Sequence, residues 1–170
     1  RAVIQKLLAH HDVLRLRFKK GTSGWEQRIA DDDYVPFEVV DLSNAEVAEQ
    51  TKAIRVQSAV LQSSLNLQEG PVLKVAYFDL GPGRSHRLLL VLHHMVVDGV
   101  SWRILMEDIQ TSYQQLSRGE QVQLPRKSSS FKFWAERLND YGRSAAIQKE
   151  AEYWLSAIPE DVPPVPRDRE

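Results

Sequence analysis

The sequence contains no cysteine. That absence excludes disulfides, iron–sulfur clusters, thiolate zinc sites and cysteine nucleophiles, and it fits a reducing compartment. No charge of one sign prevails: 22 Lys and Arg stand against 23 Asp and Glu, a formal net charge of -1. The one-sided basic balance that neutralises nucleic-acid phosphates is therefore missing. The longest apolar run, Leu88 to Leu92, has five residues. A membrane-spanning helix needs roughly 20, and no charged-then-apolar leader opens the chain. The expectation is a soluble, cytoplasmic protein with no nucleic acid, membrane or metal among its partners. At 170 residues the chain is one domain of ordinary size or a piece of a larger one, long enough to bury roughly 70% of its unfolded surface.

The first residue is Arg1, and Ala2, Val3, Ile4, Leu7 and Leu8 already mark the apolar face of a helix with no N-terminal cap, which points to a chain cut from something longer. From Val13 the period becomes two, with Leu14, Leu16 and Phe18 on one side of a strand and Arg15 and Arg17 on the other. Further strands are read at Trp25 to Ile29, Phe37 to Leu42 and Val72 to Leu80, with turns at Gly21 to Gly24 and at Gly81-Pro82-Gly83. Ser43 and Glu46 have capping-box spacing ahead of a helix carrying Val47, Ile54, Leu61 and Leu65. The run from Arg87 to His93 suits a central strand covered on both faces. Three more helices follow, marked by Trp102 to Leu116 with Gly119 just past the end, Phe131 to Tyr141, and Ile147 to Ile158. The segment 159–170 holds four of the eight prolines and six charges and reads as a linker or crossing segment.

The stretch His93-His94-Met95-Val96-Val97-Asp98-Gly99-Val100-Ser101-Trp102 sets titratable groups at the end of an apolar strand just before a helix, where open α/β sheets place ligands. Adjacent strand residues point to opposite faces, so at most one of the two histidines acts. A neutral imidazole with a pKa of about 6.5 takes or gives a proton at neutral pH. From physics alone the pair is either a working base or a satisfied core histidine. A carboxylate such as Asp98 needs a cation or several N–H donors when held at depth, and Arg15 or Arg17 is the candidate cation. Gly99 lets the backbone pass close to a ligand, and Trp102 supplies a flat wall or, at its spacing with Leu105, Met106 and Ile109, a packed helix face. Ser101 as a nucleophile lacks the second glycine of a nucleophile elbow, and helix capping is its simpler role. His10-His11-Asp12 reads as a structural helix end, since no third ligand cluster accompanies it, and Asp31 to Asp33 as a solvated turn.

These residues also carry a resemblance. His93-His94-x-x-x-Asp98-Gly99 resembles the signature of the condensation-domain superfamily of nonribosomal peptide synthetases. His10-His11-Asp12-Val13-Leu14-Arg15-Leu16-Arg17-Phe18 resembles an earlier motif of the same superfamily, and Leu67-Gln68-Glu69-Gly70-Pro71-Val72-Leu73 a segment between the two, in the same order. The resemblance implies an α/β fold like the lobe of chloramphenicol acetyltransferase, a mixed β-sheet with helices packed on it. It makes 1–158 the N-terminal lobe, incomplete at its start and lacking its C-terminal partner lobe. Asp98-Gly99-Val100-Ser101-Trp102 followed by Ile104-Leu105 resembles the epimerization type, which inverts the α-carbon of an aminoacyl or peptidyl thioester. The thioester sits on a phosphopantetheine arm that belongs to a neighbouring peptidyl carrier domain, so this domain itself binds no cofactor.

Carried over residue by residue, the resemblance makes His94 the acid/base facing the substrate channel and turns His93 into the lobe. Asp98 pairs with Arg15 to fix the loop, Gly99 lines the channel, and the start of the next helix points N–H groups at the enolate oxygen. The family's second acid/base is a glutamate of the C-terminal half, beyond any segment matched here. Two readings compete: a condensation domain using the same His94 to assist amine attack, and a noncatalytic docking member, which usually loses the histidine motif that this chain keeps.

Overall fold

The computed structural model describes residues 1–22, 24–31, 34–157 and 164. It divides into two compact units, Arg1–Arg126 and Lys127–Glu170.

In the first unit α1 (Ala2–His10) buries Ile4, Leu7 and Leu8. A 3-10 turn, Asp12–Arg15, then delivers β1 (Leu16–Gly21), which pairs antiparallel with β2 (Gly24–Ile29). The strand thus begins three residues later than the alternation from Val13 predicts, so Arg17 lies in it and Arg15 does not. Arg15 lies in the 3-10 turn, where its Nε donates to the Leu8 carbonyl at 3.0 Å and its Nη1 to that of Ala30 at 2.7 Å. Arg17 is buried, donating from Nε to Glu69 O at 2.8 Å and from Nη1 to Leu16 O at 3.0 Å. A guanidinium carries five donors in a fixed fork, and the backbone carbonyls that accept from it make its burial tolerable.

The main sheet has the order β3 (Phe37–Asp41), β4 (Leu73–Asp79), β5 (Arg87–Leu92), with β3–β4 parallel and β4–β5 antiparallel. It is the mixed sheet that the resemblance implies. The parallel step needs a crossover, supplied by α2 (Val47–Ser63). The expected capping box does not form. Glu46 is the N-cap and makes no side-chain cap bond, while the Ser43 N–H is taken at 2.9 Å by Asp41 Oδ1 in a turn ahead of the helix. The expected central strand is corrected as well: among the described strands β5 lies at the edge with Leu88 exposed, and β4 is the one covered on both faces.

Alternation along β4 divides the core. Leu73 and Val75 join α1, Leu14, Val97 and Leu105 in one cluster, and Ala76 and Phe78 join Leu61 of α2, Leu80 and Val91 in the other. Buried Gln50 locks α2 to the sheet ends, its Nε2 donating to Leu42 O at 2.8 Å and Leu80 O at 3.2 Å while its Oε1 accepts from Arg84 at 2.7 Å. After β5 comes α3 (Gly99–Ser117), with Gly119 beyond its end in the left-handed region at φ +73°.

The second unit holds α4 (Phe131–Gly142), capped by Ser130 through the Phe133 N–H at 3.1 Å, and α5 (Ala145–Ala157). No described helix is long and apolar enough to cross a membrane. Ile158, the segment 159–170 apart from Pro164, and Asp32 and Asp33 of the acidic run lie outside the described residues.

Candidate active site

The histidine pair sits where β5 runs out. His93 extends the ladder by one residue, its N–H donating to Val72 O at 2.9 Å, and its own carbonyl accepts from Val96 N–H at 3.0 Å to close a turn. Val96 and Val97 are both buried, Val97 in the cluster that α1 and α3 share. That anchor holds His94 and Met95 at the surface of the turn.

The two imidazoles have different surroundings. Nδ1 of half-buried His93 accepts from the Met95 N–H at 3.1 Å, which places the proton of a neutral ring on Nε2. His93 also lines an apolar pocket of about 510 Å³ with Phe18, Trp25, Leu67 and Met95. His94 is exposed.

Asp98 is not paired with Arg15, contrary to expectation. It is the N-cap of α3, and its Oδ1 accepts from the Ser101 N–H at 2.7 Å and from the Ser101 hydroxyl at 2.6 Å. Arg15 spends its donors on the Leu8 and Ala30 carbonyls. The hydroxyl and then the N–H of Ser101 hold the Asp98 carboxyl below the ordinary aspartate range. Ser101 is accordingly the donor in the cap, with its hydroxyl turned to Asp98. The Ser101 N–H at the start of α3 is likewise answered by this carboxylate and is not open to an incoming oxygen. Gly99 is exposed, its φ is not positive, and a Cβ there would meet nothing within 4 Å. Trp102 is half-buried and packs against the cluster of α1, β4 and α3.

The cap gives a pH prediction. A carboxyl whose folded pKa is depressed adds stability that is complete above its unfolded value, near pH 4, and is lost as pH falls through the folded value. Ser101→Ala removes the first cause of the shift. Carbon-detected NMR titration is expected to show the Asp98 resonance moving upward toward the ordinary aspartate range, with a shallower acid limb of stability. An unchanged Asp98 titration in the variant would contradict the cap.

Sequence reasoning missed one polar link. Nε2 of His11, just past α1, lies 2.7 Å from Oδ2 of Asp108 on α3. The available signal was Asp108 itself, a charge on the stripe of Leu105, Ile109 and Ser112 that the helix turns inward.

Comparison with known proteins places this geometry. A family model described as "Condensation domain" matches residues 1–170. The chain belongs to the condensation-domain family. Its relatives include linear gramicidin synthase subunits C and B of Brevibacillus parabrevis, 47% identical over 96% of this chain and 50% identical over 92%. Among solved structures, the epimerization domain from the third module of tyrocidine synthetase B is 36% identical over 95% of the chain with a TM-score of 0.80. The starter condensation domain of rhizomide synthetase is 25% identical over 91% with a TM-score of 0.76. The chain spans 2% and 3% of the gramicidin synthase subunits and 37% of each of the two solved chains. The mixed α/β lobe described above is the chloramphenicol-acetyltransferase-like lobe of this condensation-domain family.

Proposed function

We propose that this chain is the N-terminal lobe of an epimerization domain, which inverts the α-carbon of an aminoacyl or peptidyl group carried as a thioester on the phosphopantetheine arm of a neighbouring peptidyl carrier domain. The observation that carries this reading is the run Asp98-Gly99-Val100-Ser101-Trp102 at the start of α3, directly behind an exposed His94. Its similarity to the tyrocidine synthetase epimerization domain supports it. In the reaction, neutral His94 takes the α-proton from one face. The electron pair left behind delocalises onto the thioester oxygen, and a second acid, a glutamate of the C-terminal lobe, returns a proton to the opposite face. His93 and Asp98 act on the backbone, the first by fixing the turn and the second by fixing the start of the helix. The partners are that C-terminal lobe, the carrier domain and the adjoining synthetase domains.

A second reading, peptide-bond formation between two carrier-bound substrates, is favoured by the similarity to the rhizomide starter condensation domain. The same imidazole would then assist attack by an amine. One experiment on the intact parent protein separates the two: its carrier is loaded with an L-aminoacyl or L-peptidyl group in deuterated water. Epimerization is expected to give α-deuterium uptake and a D/L mixture. No exchange from a loaded carrier, with amide formed once a second loaded carrier is added, would replace it with condensation.

A further inference from the structure

Away from the histidine pair, α1 and α3 bring three metal-ligating side chains together. The nearest ligand atoms of His10, His11 and Asp108 all lie within 4.8 Å of one another. His10 closes α1 and His11 is its C-cap, their rings edge-on with centroids 4.8 Å apart. Asp108 is buried at 6% exposure and faces His11 across 2.7 Å. The third ligand that the His10-His11-Asp12 run lacks in sequence is supplied by the packing of α1 on α3.

We propose that His10, His11 and Asp108 form a binding site for a divalent zinc-type ion, with water in the fourth position, fastening the C-terminal end of α1 to α3. Two imidazoles and a carboxylate are a ligand set that zinc accepts, at about 2.0–2.2 Å per bond, which sets tetrahedral ligand atoms about 3.4 Å apart. The His11–Asp108 pair, 2.7 Å apart, opens by about 0.7 Å to reach that separation as the ion replaces their hydrogen bond. The longest ligand separation belongs to His10, and His10 closes it: it is a half-buried residue on the last turn of a helix, whereas Asp108 is fixed in the core. His10 also lines a surface pocket of about 230 Å³ with Lys6, Ala9, Val122 and Leu124, which gives the ion an entry path past the Lys6 ammonium. One turn beyond Asp108 on the same face, the Ser112 hydroxyl is fully buried and has no hydrogen-bond partner among the described residues. Polar capacity beside the carboxylate is therefore unused, and a metal-bound water is the kind of partner that fills it. Imidazole ligands select zinc, copper and nickel over magnesium and calcium, which take oxygen. The site is independent of the reaction proposed for His94.

Full-length protein stripped with chelator and titrated calorimetrically with Zn²⁺ tests it, beside His10→Ala and Asp108→Asn. Asp108→Asn keeps an acceptor for His11 while removing the charge. His10→Ala alters a half-buried helix end and decides the matter alone if the other variant fails to fold. The wild type is expected to bind one more Zn²⁺ per chain than His10→Ala, or to bind it at least about tenfold more tightly, with no such difference for Mg²⁺. Zn²⁺ is also expected to raise the melting temperature of the wild type more than that of the variant. Equal zinc stoichiometry and affinity in wild type and His10→Ala would overturn the proposal.

Discussion

Replacing His94 with alanine is expected to slow α-proton exchange on a carrier-bound thioester by about 10²- to 10⁴-fold, the range over which a positioned acid/base contributes to rate. The same change should leave folding stability within about 0.5 kcal/mol, as surface substitutions away from structural features do. His94 qualifies for both halves of that expectation, because it is exposed and makes no hydrogen bond among the described residues. His93 provides the contrast. Its ring accepts the Met95 N–H and lines the apolar pocket, so His93→Ala removes an acceptor that shapes the turn. Loss of activity in that variant should come with a lower melting temperature. Deuterium uptake by mass spectrometry and thermal unfolding on the same two variants separate a chemical from a positioning role. Exchange at the wild-type rate in His94→Ala would remove His94 from the reaction.

The sequence limits the pair to one acting histidine, and the choice of His94 comes from the resemblance. The structure sets half-buried His93 against exposed His94, which lies in the turn just past the end of β5 and not within the strand. Hydrophobic periodicity locates the helices and strands because it is a local rule. What the sequence does not convey is the choice among partners of similar chemistry. Asp98 accepts N–H donors or a guanidinium equally well. A bond to Ser101 closes only three residues at the first turn of a helix, and that local closure prevails over an ion pair with distant Arg15. Arg15 and Arg17 suggest a polar face because charge usually signals water. The carbonyls that receive them, on Leu8, Ala30 and Glu69, are backbone groups whose position no side-chain pattern reveals. The apolar run in β5 suggests a central strand, yet hydrophobicity reports burial and not sheet order. The buried position belongs to β4, whose Ala76 and Phe78 are fully covered.

The buried guanidinium of Arg17 leads to the largest stability effect expected here. Gly70 sits at φ +80°, a left-handed conformation that costs a residue with a side chain about 1–2 kcal/mol. A Cβ at Gly70 would also overlap the Cζ, Nε and Nη2 atoms of Arg17. That side chain has little room to retreat, because Nε is held by Glu69 O and Nη1 by Leu16 O. Overpacking a site of this kind adds about 1–3 kcal/mol, so Gly70→Ala is expected to cost about 2–5 kcal/mol in urea unfolding. Gly83 is the matched control: it has φ +76°, and a Cβ there would meet nothing within 4 Å, so Gly83→Ala should show the backbone share alone. The damage should also reach the site. Gly70 and Pro71 lead directly into Val72, whose carbonyl receives the His93 N–H, and Phe18 N–H is tied to Leu67 O in the same loop. Gly70→Ala should therefore lower activity and stability together. Equal costs for Gly70→Ala and Gly83→Ala would mean that Arg17 yields, and that the loop beneath the histidine pair is softer than its buried hydrogen bonds imply.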